Sequence, residues 1–274
     1  MNLRIPLKPR EGYNKIFDVG EYGMKLTRFG LLRLAAGGAY DGDTGESELA
    51  LVLIGGNFAA TATRGGASTP CEPLRFEVRD GRANPFSGKP HCLYLPRRTA
   101  FRIEALSDVE LAWNESPATR DTARPTLIRP EDTRHIALGK DNWTRTSEII
   151  LDEKFDSEHF DIGEGMIPSG NWSGWPAHRH DVNDPPRELD MEETYFYLFD
   201  PPQGFGFQSV YQTDGSLDEA YRVQNYDTVA IAQGYHPLCG APGYSMYYLW
   251  TMAGAQGRGL VSSFDPAHAW TKGN

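Results

Sequence analysis

The chain has 274 residues, 39% hydrophobic and 23% charged, with a net charge of −10. These values describe a folded globular chain of one or two domains and exclude a disordered one. So acidic a chain is not a general nucleic-acid binder, although a local basic pocket for a small anion stays open. No run reaches the roughly 18 apolar residues of a membrane helix, and the start has no apolar block behind its charges. The expectation is therefore neither a membrane protein nor a secreted one. Cys71, Cys92 and Cys239 stand far apart without a Cys-x-x-Cys pair, which points to reduced thiols in a cytoplasmic protein.

In chain order the patterns are strand-like. The run from Leu49 to Ile54, closed by Gly55 and Gly56, is continuously apolar, as in a strand buried on both faces. Residues 101–105 alternate apolar and charged side chains, and Val109, Leu111 and Trp113 continue the two-residue period with Asp108 and Glu110 beside them. Residues 193–199, the turn 200–204 and residues 205–211 read as strand, turn, strand, and residues 244–250 as a further strand. With 29 Gly and 19 Pro the elements must be short. No sustained helical stripe lies between strands, so an all-β sandwich or barrel with few short helices is favoured over a parallel βαβ sheet.

A weak internal repeat divides the chain. Residues 46–56 and 191–199 both place acids before an apolar strand, and residues 92–98 parallel 229–237 as a strand running into a turn. Between the halves, residues 116–132 are polar, carry three prolines and read as a connector. Two tandem β-domains, 1–125 and 126–274, are the economical reading. Sheet edges of this kind often pair, so a homodimer is also expected.

The chemistry concentrates in residues 168–181. His178 and His180 are two apart, and in an extended strand they share a face. A surface His-x-His by itself means nothing. Here an acid follows at the start of an aromatic strand, and a third histidine, His236, follows a later strand and a Gly-Tyr turn. Three imidazoles and a carboxylate suit a divalent cation: zinc first, with manganese, iron or nickel as alternatives. Strand parity alone leaves the acid open between Glu192 and Glu193. Asp181 points away from the face of His180, and Arg179 away from the histidines into solvent.

The stretches 142–146, 168–173, 176–181, 192–195, 203–208, 234–237, 241–244 and 247–254 resemble the 5-deoxy-glucuronate isomerase family of myo-inositol catabolism, within the bicupin sugar-isomerase group. The resemblance is dense from about residue 140 to 255 and is one of strand pattern before that. It implies two tandem cupin (jelly-roll β-barrel) domains, the first without metal ligands and the second with the site. It also implies a metal-dependent aldose-ketose isomerisation, from 5-deoxy-D-glucuronate to 5-dehydro-2-deoxy-D-gluconate, acting on a small sugar acid. By likeness to the related 4-deoxy-5-hexosulose-uronate ketol-isomerases, whose ligand acid directly precedes its aromatic strand, the implied ligand set is His178, His180, Glu193 and His236. Candidates for moving the proton are Tyr195 and Glu192. Arg145 is the candidate for the substrate carboxylate and Gln208 for a sugar hydroxyl. Trp250 departs from the family pattern and bears on pocket shape. A related uronate ketol-isomerase, an iron-dependent cupin dioxygenase and a non-catalytic sugar-binding cupin are the alternative readings.

Overall fold

The computed structural model describes residues 2–65 and 72–272, so Cys71 lies outside the described residues. Cys92 and Cys239 are free thiols. The fold is all-β, two tandem jelly-roll barrels of the cupin type. Among the described residues helical backbone is confined to the 3₁₀ turns Pro130–Asp132, Asp141–Trp143 and Ala269–Lys272. No helix is long and apolar enough to cross a membrane.

Each half contributes one large and one four-stranded sheet, and the C-terminal half adds the two-stranded pair His178–Arg179 with Ser263–Phe264. The large N-terminal sheet runs, in spatial order, Thr126–Ile128, Cys92–Leu95, Ser47–Gly55, Val109–Pro117, Arg28–Leu34 and Gly12–Phe17. Its C-terminal counterpart runs Arg4–Pro6, Asp227–Ile231, Met191–Asp200, Ser245–Gly254, Phe160–Ile167, Arg145–Leu151 and Arg134–Leu138. The order repeats: Ser47–Gly55 and Met191–Asp200 are the corresponding central strands, each flanked by the equivalent neighbours. Two pairings cross the boundary expected at residue 125. Arg4–Pro6 pairs with the C-terminal strand Asp227–Ile231, and Thr126–Ile128 pairs with the N-terminal strand Cys92–Leu95. Each large sheet thus has one edge covered by a segment from beyond its own half, which removes an unpaired edge.

The continuous apolar runs follow from burial on both faces. Leu49, Leu51 and Leu53 point into the N-terminal barrel, while Ala50, Val52 and Ile54 join the core shared by the two large sheets. Met191–Asp200 does the same. Tyr195, Tyr197 and Phe199 fill the C-terminal barrel, and Phe196 and Leu198 pack on the N-terminal half. The shared core contains Phe17, Phe29 and Tyr94 from one half and Phe160, Phe196 and Tyr247 from the other.

Polar contacts lock this interface reciprocally. Glu48, one residue before the inward-facing Leu49, accepts the backbone N–H groups of Glu158 and His159, both at 2.8 Å. Glu192, one residue before Glu193, accepts those of Lys25, Leu26 and Thr27 at 2.6–2.9 Å. The acids that open both central strands are therefore docking groups. A third contact is an ion pair, with Arg82 1% and Glu164 7% exposed at the side chain. Arg82 Nη1 donates to Glu164 Oε2 at 2.8 Å, its Nε and Nη2 donate to Leu53 O, and the Tyr247 hydroxyl donates to Glu164 Oε1 at 2.7 Å. Burial works against the charge on Arg82, but Glu164 overrides it and holds the guanidinium above its ordinary pKa.

Removing one member of such a pair leaves the other buried without compensation. Arg82→Met is expected to destabilise the fold by about 3–5 kcal/mol, measured by denaturant titration. The double variant Arg82→Met/Glu164→Met is expected to recover much of that loss. A single variant as stable as the wild type would show that the pair does not hold the halves together.

Candidate metal centre and pocket

Three segments of the C-terminal barrel meet in its interior. The short strand His178–Arg179 leads into His180, Glu193 stands near the start of Met191–Asp200, and His236 follows Asp227–Ile231. Glu193 is directly opposite Ile231 in the ladder, so the turn after that strand carries His236 back over the carboxylate. His180 Nε2 lies 3.0 Å and His236 Nε2 3.1 Å from Glu193 Oε2. One donor atom from each of the three falls within 4.8 Å of the others, and all three side chains are buried.

The outer ring nitrogens explain how this set is aimed. His180 Nδ1 donates to Met191 O at 2.6 Å, His236 Nδ1 to Gly234 O at 2.7 Å and His178 Nδ1 to Pro176 O at 3.3 Å. A backbone carbonyl only accepts, so each Nδ1 carries the proton. In the neutral ring each Nε2 then presents a lone pair. This is the usual outer support of an imidazole ligand. Buried His236 Nε2 has no hydrogen-bond partner. Two imidazole lone pairs facing a buried carboxylate oxygen at about 3 Å are mutually repulsive unless a proton or a cation sits among them, and His180 Nε2 is within hydrogen-bond distance of Glu193 Oε2 at 3.0 Å. The residues present therefore fit a divalent cation in a two-nitrogen, one-oxygen set.

Burial opposes the charge on His180, yet Glu193 raises its pKa. Burial opposes ionisation of Glu193, yet His180 and His236 hold its carboxyl well below the usual carboxylate range. Burial, reinforced by His236 and His180, pushes His178 down to about 3, so its ring is neutral near pH 7. Its ring centroid is 5.0 Å from that of His236 and 6.4 Å from that of His180. The expected fourth ligand thus lines the same pocket but lies outside the tight group.

Two further acids brace the site from behind. Asp181, turned away from the pocket as expected, accepts the Gly234 N–H at 2.7 Å and so ties the histidine strand to the His236 turn. Glu188 accepts the N–H groups of Asp181 and Val182. Arg179 is not free in solvent: it pairs with Asp181 and Glu188 and covers the Tyr235 ring.

The group opens into a cavity of about 210 Å³ lined by His178, His180, Glu193, Tyr195, Arg145 and Tyr248, with apolar walls. Arg145 donates to Trp143 O at 3.2 Å and lies over the Trp143 ring, and no carboxylate pairs with it among the described residues. Its Nε is buried without a partner, and burial lowers its pKa. A guanidinium nonetheless stays charged, so this is an unpaired cation facing the pocket. Burial, reinforced by the nearby Glu193 carboxylate, raises the Tyr195 pKa far above the ordinary value.

Two expected roles are corrected. Glu192 does not face the pocket: alternation sends it to the opposite side of the sheet, where three backbone N–H groups saturate it. A larger cleft of about 440 Å³ lies beside it, lined by Tyr22, Lys25, Leu26 and Asp190, without convergent metal donors. Gln208 does not reach the pocket either. Its amide donates to His236 O at 2.7 Å and Pro237 O at 3.2 Å, and its Oε1 accepts from the Tyr197 hydroxyl. It holds the His236 turn and is used up in doing so. Pocket residues that the sequence did not single out are Tyr248, Ser173 and the segment Leu260–Val261–Ser262. Tyr248 shares strand parity with Trp250, which was a usable signal. Residues 260–262 belong to a glycine-rich stretch with no periodic pattern.

Comparison with known proteins follows this geometry. The model of the KduI/IolB family matches residues 7–271. A 5-deoxy-glucuronate isomerase of Bacillus subtilis subsp. natto is 36% identical over 264 residues, 94% of this chain and 93% of that protein. The crystal structure of an IolB-like protein from Salmonella typhimurium superposes with a TM-score of 0.90 at 32% identity, covering 100% of both chains. An oxalate decarboxylase of Lactobacillus farciminis has a TM-score of 0.68 at 12% identity over 96% of this chain and 88% of its own, a likeness of fold alone.

The site predicts one divalent ion bound per chain by calorimetric titration with zinc or manganese. Substituting His180 or Glu193 by Ala is expected to abolish binding. Gln208→Ala, which frees the His236 turn, is expected to weaken it roughly 10- to 100-fold. Unchanged affinity in His180→Ala would refute the ligand set.

Proposed function

The chain belongs to the KduI/IolB family, and on that premise we propose that it is an aldose-ketose isomerase converting 5-deoxy-D-glucuronate to 5-dehydro-2-deoxy-D-gluconate. The observation that carries this reading is a single pocket lined both by His180 and Glu193, of the His180–Glu193–His236 group, and by the unpaired Arg145. A sugar acid has a carbonyl with a neighbouring hydroxyl at one end and a carboxylate at the other, and the pocket offers a partner to each.

The reaction moves a proton from the carbon beside the aldehyde to the aldehyde carbon, through an enediol. It needs stabilisation of negative charge on oxygen and a group that moves the proton. His180, Glu193 and His236 would hold the divalent ion, with His178 beside them, and the ion when bound supplies Lewis-acid polarisation of a carbonyl. Arg145 holds the carboxylate by charge-assisted hydrogen bonds. Tyr195, kept protonated by burial and the nearby Glu193 carboxylate, keeps a proton beside the reacting end. The apolar walls of Ile136, Ile149 and Met252 exclude water and strengthen these interactions.

Incubation of the pure protein with 5-deoxy-D-glucuronate in D₂O, followed by NMR, is expected to show loss of the aldehyde signal and deuterium in the product at the former aldehyde carbon or its neighbour. Oxygen uptake would point instead to dioxygenase chemistry. Full turnover after rigorous metal removal would refute the metal-dependent reading. Arg145→Ala is expected to cut kcat/KM roughly 10- to 100-fold, the range of a lost charged hydrogen bond. Glu192→Gln, remote from the pocket, is expected to lower the melting temperature and leave kcat of the folded enzyme unchanged.

A further inference from the structure

We propose that Tyr248 is a further catalytic residue, its hydroxyl donating a hydrogen bond to the substrate oxygen that gains negative charge. The proposal rests on the isomerase reading above. Tyr248 lies on the strand Ser245–Gly254, inside the barrel, and lines the same pocket as His180, Glu193 and Arg145. Its ring stands perpendicular to that of Tyr195, with centroids 5.3 Å apart, and Tyr195 in turn meets Glu193. The phenol is therefore on the wall next to the metal-type group.

The ring's place is built into the neighbouring strand. Gly165 is directly opposite Tyr248 in the ladder, and a Cβ at Gly165 would fall 1.9 Å from Tyr248 Cζ. No side chain fits there, so the phenol lies flat over bare backbone. Gly163, two residues back, does the same for Trp250, at 2.3 Å from Cζ2. Both rings are seated by the absence of two side chains.

The hydrogen-bond inventory then singles out Tyr248. The Ser147 hydroxyl donates to Glu164 O and accepts from Trp250 Nε1. The Tyr195 phenol lies beside the Glu193 carboxylate. Tyr248 Oη has one neighbour, Ser173 Oγ at 2.7 Å, buried. Each hydroxyl carries one proton and can also accept. With Ser173 donating to Oη, the phenol proton is free to point into the pocket. Burial raises the Tyr248 pKa, which keeps that proton on the oxygen and makes the group a donor rather than a base. No proton need leave it: it gives a hydrogen bond that strengthens as the substrate oxygen becomes an enediolate oxygen, and so acts on the barrier more than on binding.

The test compares wild type, Tyr248→Phe and Ser173→Ala for kcat and KM with 5-deoxy-D-glucuronate, alongside melting temperature and bound metal. Removing one such donor is expected to lower kcat about 100-fold in Tyr248→Phe, with KM within roughly threefold of wild type and with melting temperature and metal content unchanged. Ser173→Ala, which only frees the phenol, is expected to lose less, and Ser173→Thr to restore it. Wild-type kcat in Tyr248→Phe, a change confined to KM, or a parallel loss of metal would overturn the proposal. An inactive wild type would refute the isomerase reading and this proposal with it. An active wild type beside an equally active Tyr248→Phe would refute this proposal alone.

Discussion

The structure depends on the two-faced burial of one strand. Met191–Asp200 is covered by its own barrel on one side and by the N-terminal half on the other. Alternation therefore gives neighbouring side chains unrelated environments. Glu192 and Glu193 are consecutive, chemically identical and both buried. One is saturated by backbone N–H groups of Lys25, Leu26 and Thr27 and fastens the halves together. The other meets two imidazoles and forms the only candidate metal group found among the described residues. A slip of one residue in register would exchange these roles and destroy both, which is why register in a doubly buried strand is so strongly specified.

The same logic explains why the histidines converge without being neighbours in sequence. His180 and His236 are each fixed by an Nδ1–H bond to a nearby carbonyl. Those carbonyls are themselves set by the Met191 end of the central strand and the Gly234 turn. Asp181 and Gln208 hold that turn from two sides, one through Gly234 N–H and the other through His236 O. The imidazole geometry is thus fixed by backbone, which costs less entropy than freezing long side chains at the moment of ion capture. A cation would engage all three side chains at once, so ion binding and local order should reinforce each other.

Much of this was legible in the sequence. The continuous run from Leu49 to Ile54 correctly marked a strand buried twice, and the repeat of acids before apolar strands marked the two corresponding central strands. What the pattern could not give was destination. Period-two alternation says that Glu192 and Glu193 part, but only the pairing of whole sheets says which face meets the N-terminal half. Gln208 looked like a reader of sugar hydroxyls because it ends a matching motif, whereas its amide is consumed by carbonyls brought from residues 236 and 237. The exchange of Arg4–Pro6 and Thr126–Ile128 across the expected boundary was hidden for a related reason: three-residue edge strands carry too little periodicity to announce a partner, and that of Arg4–Pro6 lies at the far end of the chain.

The N-terminal barrel is best understood through the repeat itself. Glu48 and Glu192 do corresponding work in the two halves, each capturing backbone amides of the other. The next inward position is Leu49 in one half and Glu193 in the other. In the N-terminal barrel that leucine packs among Leu51, Leu53, Phe58 and Trp113, so its interior is an apolar core rather than a polar centre. Its effect on the site is mechanical. Phe29 packs on Phe196, on the outer face of the strand that carries Glu193, while Arg82 neutralises Glu164 between the two glycines that seat Tyr248 and Trp250. A buried carboxylate at that position would otherwise pull water or protons into the strand behind the pocket. The first barrel therefore maintains the dry, rigid wall against which the second barrel aims its polar groups.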